Sequence, residues 1–223
     1  MAEDLFETIA GAMRAFEDRE RERAGALGMT VEQLRSMGDK RTREADDAQR
    51  RSDRLRYARR YVTDEDFARV VGRRCDTPAA AAVSSWLATS SAFLVLGGGR
   101  GTGKTVAALH AIATCGGQIV TSVEIGRAWR NEHDEARALR ARVLGAGLLV
   151  VDDVGTELDR EAVKVAMQEL INARQSGHRT IVTTNLARGV FDRAFDERTI
   201  ERIHHRGVFV SLAGQSMREG VRR

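Results

Sequence analysis

The chain has 223 residues, 42% of them hydrophobic and 30% charged, with a net charge of +4, one proline and two cysteines. That length allows one sizeable core with a small appendage, and no apolar run nears the roughly 20 residues of a membrane-spanning helix. Cys75 and Cys115 lie far apart, with no CxxC or Cys/His cluster. This excludes a disulfide framework and a zinc site, and predicts buried, inert thiols in a reducing, cytoplasmic setting. The mild basic excess is compatible with nucleic acid without requiring it.

Leu5, Phe6, Ile9, Met13 and Phe16 fall at helical spacing and predict an amphipathic helix; the acidic start lacks the basic-then-apolar order of a secretory signal. Thr30 and Gln33 form a capping-box pattern, with Met29 placed to staple onto Leu34. A second helix is expected there, with Gly38 as its stop. From Lys40 to Arg60 charge dominates, with Arg50, Arg51, Arg54, Arg56, Arg59 and Arg60 interleaved with Asp46, Asp47 and Asp53. The stretch reads either as a solvated helix or partly disordered linker, or as a docking or nucleic-acid surface.

Thr63, followed by Asp64, Glu65 and Asp66, predicts a capped helix start carrying Phe67, Val70 and Val71. Thr77 precedes Pro78, which places the proline at a first helical position, where its missing N–H costs nothing. Val83, Trp86 and Leu87 mark the inward face of that helix. From residue 92 a regular alternation begins. Apolar runs at 92–96, 118–123, 148–152, 180–184 and 208–212 predict strands, separated by helices at about 104–115, 125–144, 160–176 and 190–204. Strands alternating with helices predict an α/β fold with a five-stranded parallel sheet flanked by helices. A run such as LLVVD is apolar throughout, as a strand covered on both faces must be.

The first predicted strand runs into LGGGRGTGKT (96–105), which contains the GxxxxGK[ST] pattern as Gly98, Gly103, Lys104 and Thr105. The intervening Gly99, Arg100, Gly101 and Thr102, and the following Val106, complete the segment. Glycines let backbone N–H groups surround the crowded oxygens of a triphosphate, and the helix that follows adds the positive end of its dipole. Lys104 is expected to reach the β- and γ-phosphates, and Thr105 to set its hydroxyl on Mg²⁺. LLVVDD (148–153) ends in Asp152, the candidate for holding Mg²⁺ through water, and Asp153, the candidate for orienting an attacking water. TIVTTN (180–185) brings Thr184 and Asn185 to another strand end, where a polar side chain can bond the γ-phosphate or that water.

In order, these segments resemble the AAA+ ATPases, and more narrowly the DnaC-type replicative helicase loaders, with the IstB-type transposition ATPases close to them. LLVVDDVGTE and INARQSGHRTIVTTNL look like the second and third nucleotide motifs of that family. DERTIERI (196–203) resembles its arginine-finger motif, with Arg198 and Arg202 at the two arginines and Glu201 in place of the usual serine. GVFVSLAGQSMR (207–218) resembles the last strand and sensor-2 arginine, which puts Arg218 in that role. The likeness covers residues 75–218.

The resemblance implies ATP and Mg²⁺ at Lys104, Thr105 and Asp152, Asn185 as sensor of the γ-phosphate, and Arg218 contacting it from the same chain. It also implies Arg202 acting on the site of a neighbouring copy, within a homo-oligomeric ring or spiral. The implied activity is an ATPase, slow and stimulated by DNA or a partner. Its implied role is loading a hexameric replicative helicase onto single-stranded DNA. The alternative is assembly on duplex DNA and recruitment of a transposase. The implied division is a helical partner-binding region with a charged linker over residues 1–62 and the AAA+ domain over residues 63–223. Two departures stand out. Asp153 occupies a position where many relatives carry glutamate, which implies slow turnover, and the N-terminal region carries no zinc-binding pattern, so it would grip a partner through helices alone.

Some weaker features remain. His204 and His205 are expected to be exposed or at an interface. His110 is expected on the helix after the phosphate loop. Trp129, beside Arg127 and Arg130, touches either DNA or another helix. Arg206 is the other candidate for the arginine finger.

Overall fold

A computed structural model describes residues 17–63, 67–68, 77–155 and 160–213. The expected N-terminal helix before residue 17, most of the expected helix after Thr63, Cys75 and Arg218 lie outside these residues. The chain divides into two compact units, Met1–Ser52 and Asp53–Arg223.

In the first unit, residues 17–26 are helical and helix α1 (Val31–Ala58) begins in this unit. Its start is the expected capping box. The Thr30 amide donates to Gln33 Oε1 (2.9 Å), and the Gln33 amide donates to Thr30 Oγ1 (3.2 Å). Arg35 bonds Glu20 through both Nε and Nη2 (2.9 and 2.6 Å). Gly38 does not stop the helix. A mid-helix glycine costs only about 1 kcal/mol relative to alanine, and the charged residues beyond it are good helix formers that continue the turns to Ala58.

The second unit carries the sheet. Its elements are α2 (Pro78–Leu87), β1 (Phe93–Gly98), α3 (Lys104–Cys115), β2 (Gln118–Thr121), α4 (Ser122–Arg130), α5 (Asp134–Gly145), β3 (Leu148–Val154), α6 (Arg160–Ala173), β4 (Arg179–Thr184), α7 (Arg188–Ala194), α8 (Glu197–Arg206) and β5 (Gly207–Leu212). The five strands are parallel, in the order β2-β3-β4-β1-β5. Successive side chains of a strand point to opposite faces, and here both faces are apolar. Leu94, Leu96, Val150 and Ile181 pack with α2 and α3 on one side. Phe93, Val95, Leu149, Val151 and Val182 pack with Met167, Leu170, Phe191 and Ile203 on the other. Trp86 lies in the first cluster, with the Arg179 guanidinium 3.9 Å above its ring.

Several sequence expectations need correction. The run 118–123 is a strand only to Thr121, whose hydroxyl and the Glu124 carboxylate form a second capping box that opens α4. The expected helix 125–144 is two helices, because His133 Nδ1 accepts from the Ala136 amide and starts α5 afresh. The expected helix 190–204 is also two, with Asp196 capping α8 through the Thr199 amide (3.0 Å). Cys115, expected to be buried, is exposed at the end of α3.

Strand order decides where a ligand can sit. Because β4 lies between β1 and β3, the carboxyl ends of all three meet, and ligands of open α/β sheets collect at such ends.

Candidate functional site

At the end of β1 the backbone turns through Gly98 (φ 143°), where a Cβ would run into the Leu212 carbonyl of β5. It reaches α3 through Gly103 in the left-handed region (φ 82°), a conformation glycine adopts at no steric cost. Lys104 opens α3 and is only 7% exposed. Its ammonium lies among four oxygens: the Gly98 carbonyl (2.8 Å), the Gly99 carbonyl (2.7 Å), Thr102 Oγ1 (3.3 Å) and Asn185 Oδ1 (3.2 Å). Burial lowers its pKa, and the nearby Asp152 and Asp153 carboxylates oppose that shift. Gly99 and Arg100 are exposed, and Val106 is buried in the core under the loop.

Across the site, Thr105 Oγ1 donates to Asp152 Oδ1 (2.9 Å), and so does Thr183 Oγ1 (2.6 Å). Asp152 is 8% exposed. Burial raises its pKa, while the Thr183 and Thr105 hydrogen bonds pull it down. Asp153 has φ 59°, the only positive φ outside glycine among the described residues. Its amide donates to Thr183 Oγ1 (2.9 Å), its carbonyl accepts from Ser122 Oγ (2.9 Å) and its Oδ1 accepts from Asn185 Nδ2 (2.9 Å). Asn185 thus bridges Lys104 and Asp153, its oxygen facing the cation and its nitrogen the acid.

The structure therefore joins Lys104, Thr105, Asp152, Asp153 and Asn185 into one hydrogen-bonded group spanning three strand ends. Thr184 does not join it, because its hydroxyl donates to the Val154 carbonyl (2.6 Å) and accepts from the Leu186 amide (3.0 Å). Thr183 and Ser122 are the members that sequence reasoning missed. The TTN segment offered two threonines, and only the strand register tells them apart.

Arg202 stands apart. It lies partly buried on α8, with Nη1 enclosed and without a hydrogen-bond partner. No described hydrogen bond or ion pair links it to the group above. It lines a surface depression with Gln175, Glu201, His204, His205 and Arg206. Arg198, one turn earlier on the same helix, is exposed. Arg206 Nη1 is engaged by the Gln175 carbonyl (2.9 Å). Trp129 makes an interhelical contact, donating to Glu169 Oε2 (2.6 Å). His204 and His205 are exposed, and His204 Nε2 lies 3.2 Å from Asp192 Oδ1.

The arrangement suits a nucleoside triphosphate with its metal. The glycine turn brings backbone against the open end of the sheet, a buried ammonium is surrounded only by oxygens that phosphate can replace, and the α3 N-terminus faces the same point. No described cluster of three or more His, Cys, Asp or Glu exists that would hold a metal by itself. A hydroxyl and one carboxylate side by side are what Mg²⁺ takes when phosphate oxygens and waters complete its shell.

Fold and site together define a P-loop nucleotide-binding protein of the AAA+ type. A family model described as IstB-like ATP binding protein matches residues 3–223, and the chain belongs to that family. No curated protein gives a significant match.

Among solved structures, the DnaC helicase loader is 18% identical; the alignment covers 70% of this chain and 96% of that one, with a TM-score of 0.48. DnaI is also 18% identical, with 73% and 94% coverage and a TM-score of 0.49. AMPPCP-bound DnaA from Aquifex aeolicus is 15% identical, with 70% and 49% coverage and a TM-score of 0.47. The chain spans about half the length of the replication initiators it matches, 48% of one and 49% of another. Among the described residues, no helix is long and apolar enough to cross a membrane.

Proposed function

We propose that this protein is an ATP- and Mg²⁺-dependent ATPase that assembles into a ring or spiral and serves as a cytoplasmic helicase loader. In this reading the helices of residues 1–62 hold a replicative helicase, and the AAA+ domain of residues 63–223 holds single-stranded DNA. The supporting observation is the bonded group at the strand ends, in which Lys104, Asn185 and Asp153 are linked in series beside the Thr105–Asp152 pair.

Lys104 and the α3 amides bind and orient the phosphates, and Thr105 and Asp152 hold Mg²⁺, which supplies charge neutralisation when bound. Asp153, aimed by Asn185, orients a water and takes its proton as the oxygen attacks the γ-phosphorus. The bond from that phosphorus to the β–γ bridging oxygen breaks, and the electron pair leaves on ADP. Arg202, partly buried on α8 and outside the bonded group, serves the site of an adjoining copy. Arg218 contacts the γ-phosphate within its own chain. An arginine acting in trans is worth roughly 10³–10⁵ in rate. Arg202→Ala should therefore leave ATP binding intact and cut phosphate release by about 1,000-fold. Normal turnover in that variant refutes the shared site.

The family match favours a second reading, a transposition helper that assembles on duplex DNA and recruits a transposase. Pull-downs of the full chain with ATP, against a hexameric helicase and against a transposase, together with binding to single-stranded and duplex DNA, separate the two.

A further inference from the structure

The pairing of β3 with β4 is regular up to Val151 opposite Val182, and resumes at Val154 opposite Thr184. Two residues, Asp152 and Asp153, therefore face a single residue of β4, Thr183. A bulge of this kind breaks the ladder at the extra residue and re-aims side chains. Here it puts Asp153 into the left-handed region at φ 59°. At the bulge the Asp153 amide donates to a side chain of β4, Thr183 Oγ1, at 2.9 Å. The same oxygen donates its own proton to Asp152 Oδ1 at 2.6 Å. Thr183 is 1% exposed, and both bonds run within the protein.

One buried hydroxyl thus ties together the acid beside Thr105 and the acid beside Asn185. Its donor and acceptor roles are both taken, so neither neighbour can shift without breaking a bond. Left-handed backbone costs a residue with a Cβ about 1–2 kcal/mol, and aspartate and asparagine are the side chains that tolerate it. Backbone held in a sparsely populated region at a site is a sign that the surroundings enforce it for a purpose. The bulge also accounts for the shorter acid at residue 153. A left-handed position disfavours glutamate, and the Asp153 carboxylate already reaches Asn185 Nδ2 at 2.9 Å.

We infer that Thr183 is a positioning residue for nucleotide hydrolysis, its hydroxyl fixing the Asp152 carboxylate and the bulged Asp153 backbone so that both acids face the phosphates. This rests on the ATPase function proposed above. Thr183 touches neither phosphate nor metal in this scheme, and acts only through the two aspartates.

The test compares the full-length wild-type protein with Thr183→Val, which keeps the shape and removes the hydroxyl, and with Thr183→Ser, which keeps the hydroxyl. Phosphate release is followed with ATP and Mg²⁺, and affinity with a fluorescent ATP analogue. Thr183→Val should lower kcat by roughly 10- to 100-fold, since small misplacements of reacting groups have effects of that order. KM for ATP and analogue affinity should stay within about threefold, because the lost interaction serves the chemical step. Thr183→Ser should recover most of kcat.

A Thr183→Val protein that turns over at the wild-type rate, or one that loses ATP affinity in step with kcat, overturns the inference. So does failure of Thr183→Ser to recover. If Thr183→Val does not fold, Thr183→Cys, near serine in size but a weak donor and acceptor, replaces it with the same expected outcomes. A wild-type protein that binds the analogue yet releases no phosphate, with or without DNA, refutes the ATPase reading itself. Hydrolysis by wild type with no effect of Thr183→Val refutes only the role of Thr183.

Discussion

Each end of the sheet buries a cation, and the two are held differently. At the carboxyl ends, Lys104 sits among loop carbonyls, Thr102 and Asn185, near two acids. At the amino ends, Arg174 is 0% exposed. Its guanidinium donates to Thr180 Oγ1 and to the carbonyls of Val143, Leu144 and Arg179. None of those four partners carries a charge, and burial lowers its pKa to about 10. Arg174 ties the end of α5, the residue after α6 and the start of β4 into one clip. Its acceptors belong to fixed elements, whereas those of Lys104 belong to a turn and a side-chain amide. A buried cation therefore marks a ligand site when its partners are exchangeable, and a structural joint when they are not.

Substitutions at the two ends should separate along that line. The largest effect is expected from Lys104→Ala, which removes charge-assisted bonds worth about 1.5–3 kcal/mol each. ATP-analogue affinity should fall by about 100-fold with little change in Tm. Unchanged affinity would dissolve the contrast. Arg174→Met should do the reverse. It strands three carbonyls and a hydroxyl in the interior, for a net loss of about 2–3 kcal/mol and a Tm lower by roughly 5–10 °C. Affinity measured well below that Tm should barely move. Loss of ATP binding by the folded variant would show that the two ends are coupled.

The smallest effect is expected from Asp152→Asn. Burial raises the Asp152 pKa, so the folded state takes up a proton more readily than the unfolded one, and the stability of the neutral form is lost as pH rises through the raised value. The neutral isostere should stabilise the ligand-free protein at pH 7, and by less at pH 4, closer to where the wild-type carboxyl takes up its proton. Thermal melts at the two pH values check the sign, and Mg²⁺-dependent ATP binding should drop in the same variant.

The alternation of apolar runs and helices was enough to expect the parallel sheet, and GxxxxGK[ST] with Asp152 and Asn185 was enough to expect the phosphate site. Both signals are local, so they survive without knowledge of the fold. The breaks within 125–144 and 190–204 were missed because helical periodicity runs through them. Asp196 with Thr199 offered a usable capping signal, whereas His133 is an uncommon cap. The partnership of Thr183 with both aspartates was not legible, because it depends on a register shift between strands about 30 positions apart. Arg174 was hidden for a similar reason, since its acceptors come from the end of α5 and the start of β4, which only the fold brings together.

Tyr57 and Tyr61 add one last consequence. Both hydroxyls reach the Ile119 carbonyl, at 2.9 and 3.3 Å, and Ile119 lies on β2, the outermost strand on that side. A sheet margin with a free carbonyl invites a strand from another molecule, the first step toward amyloid-like stacking. Two phenols sharing that oxygen act as a stopper on the margin, which disfavours edge-to-edge pairing with a passing chain.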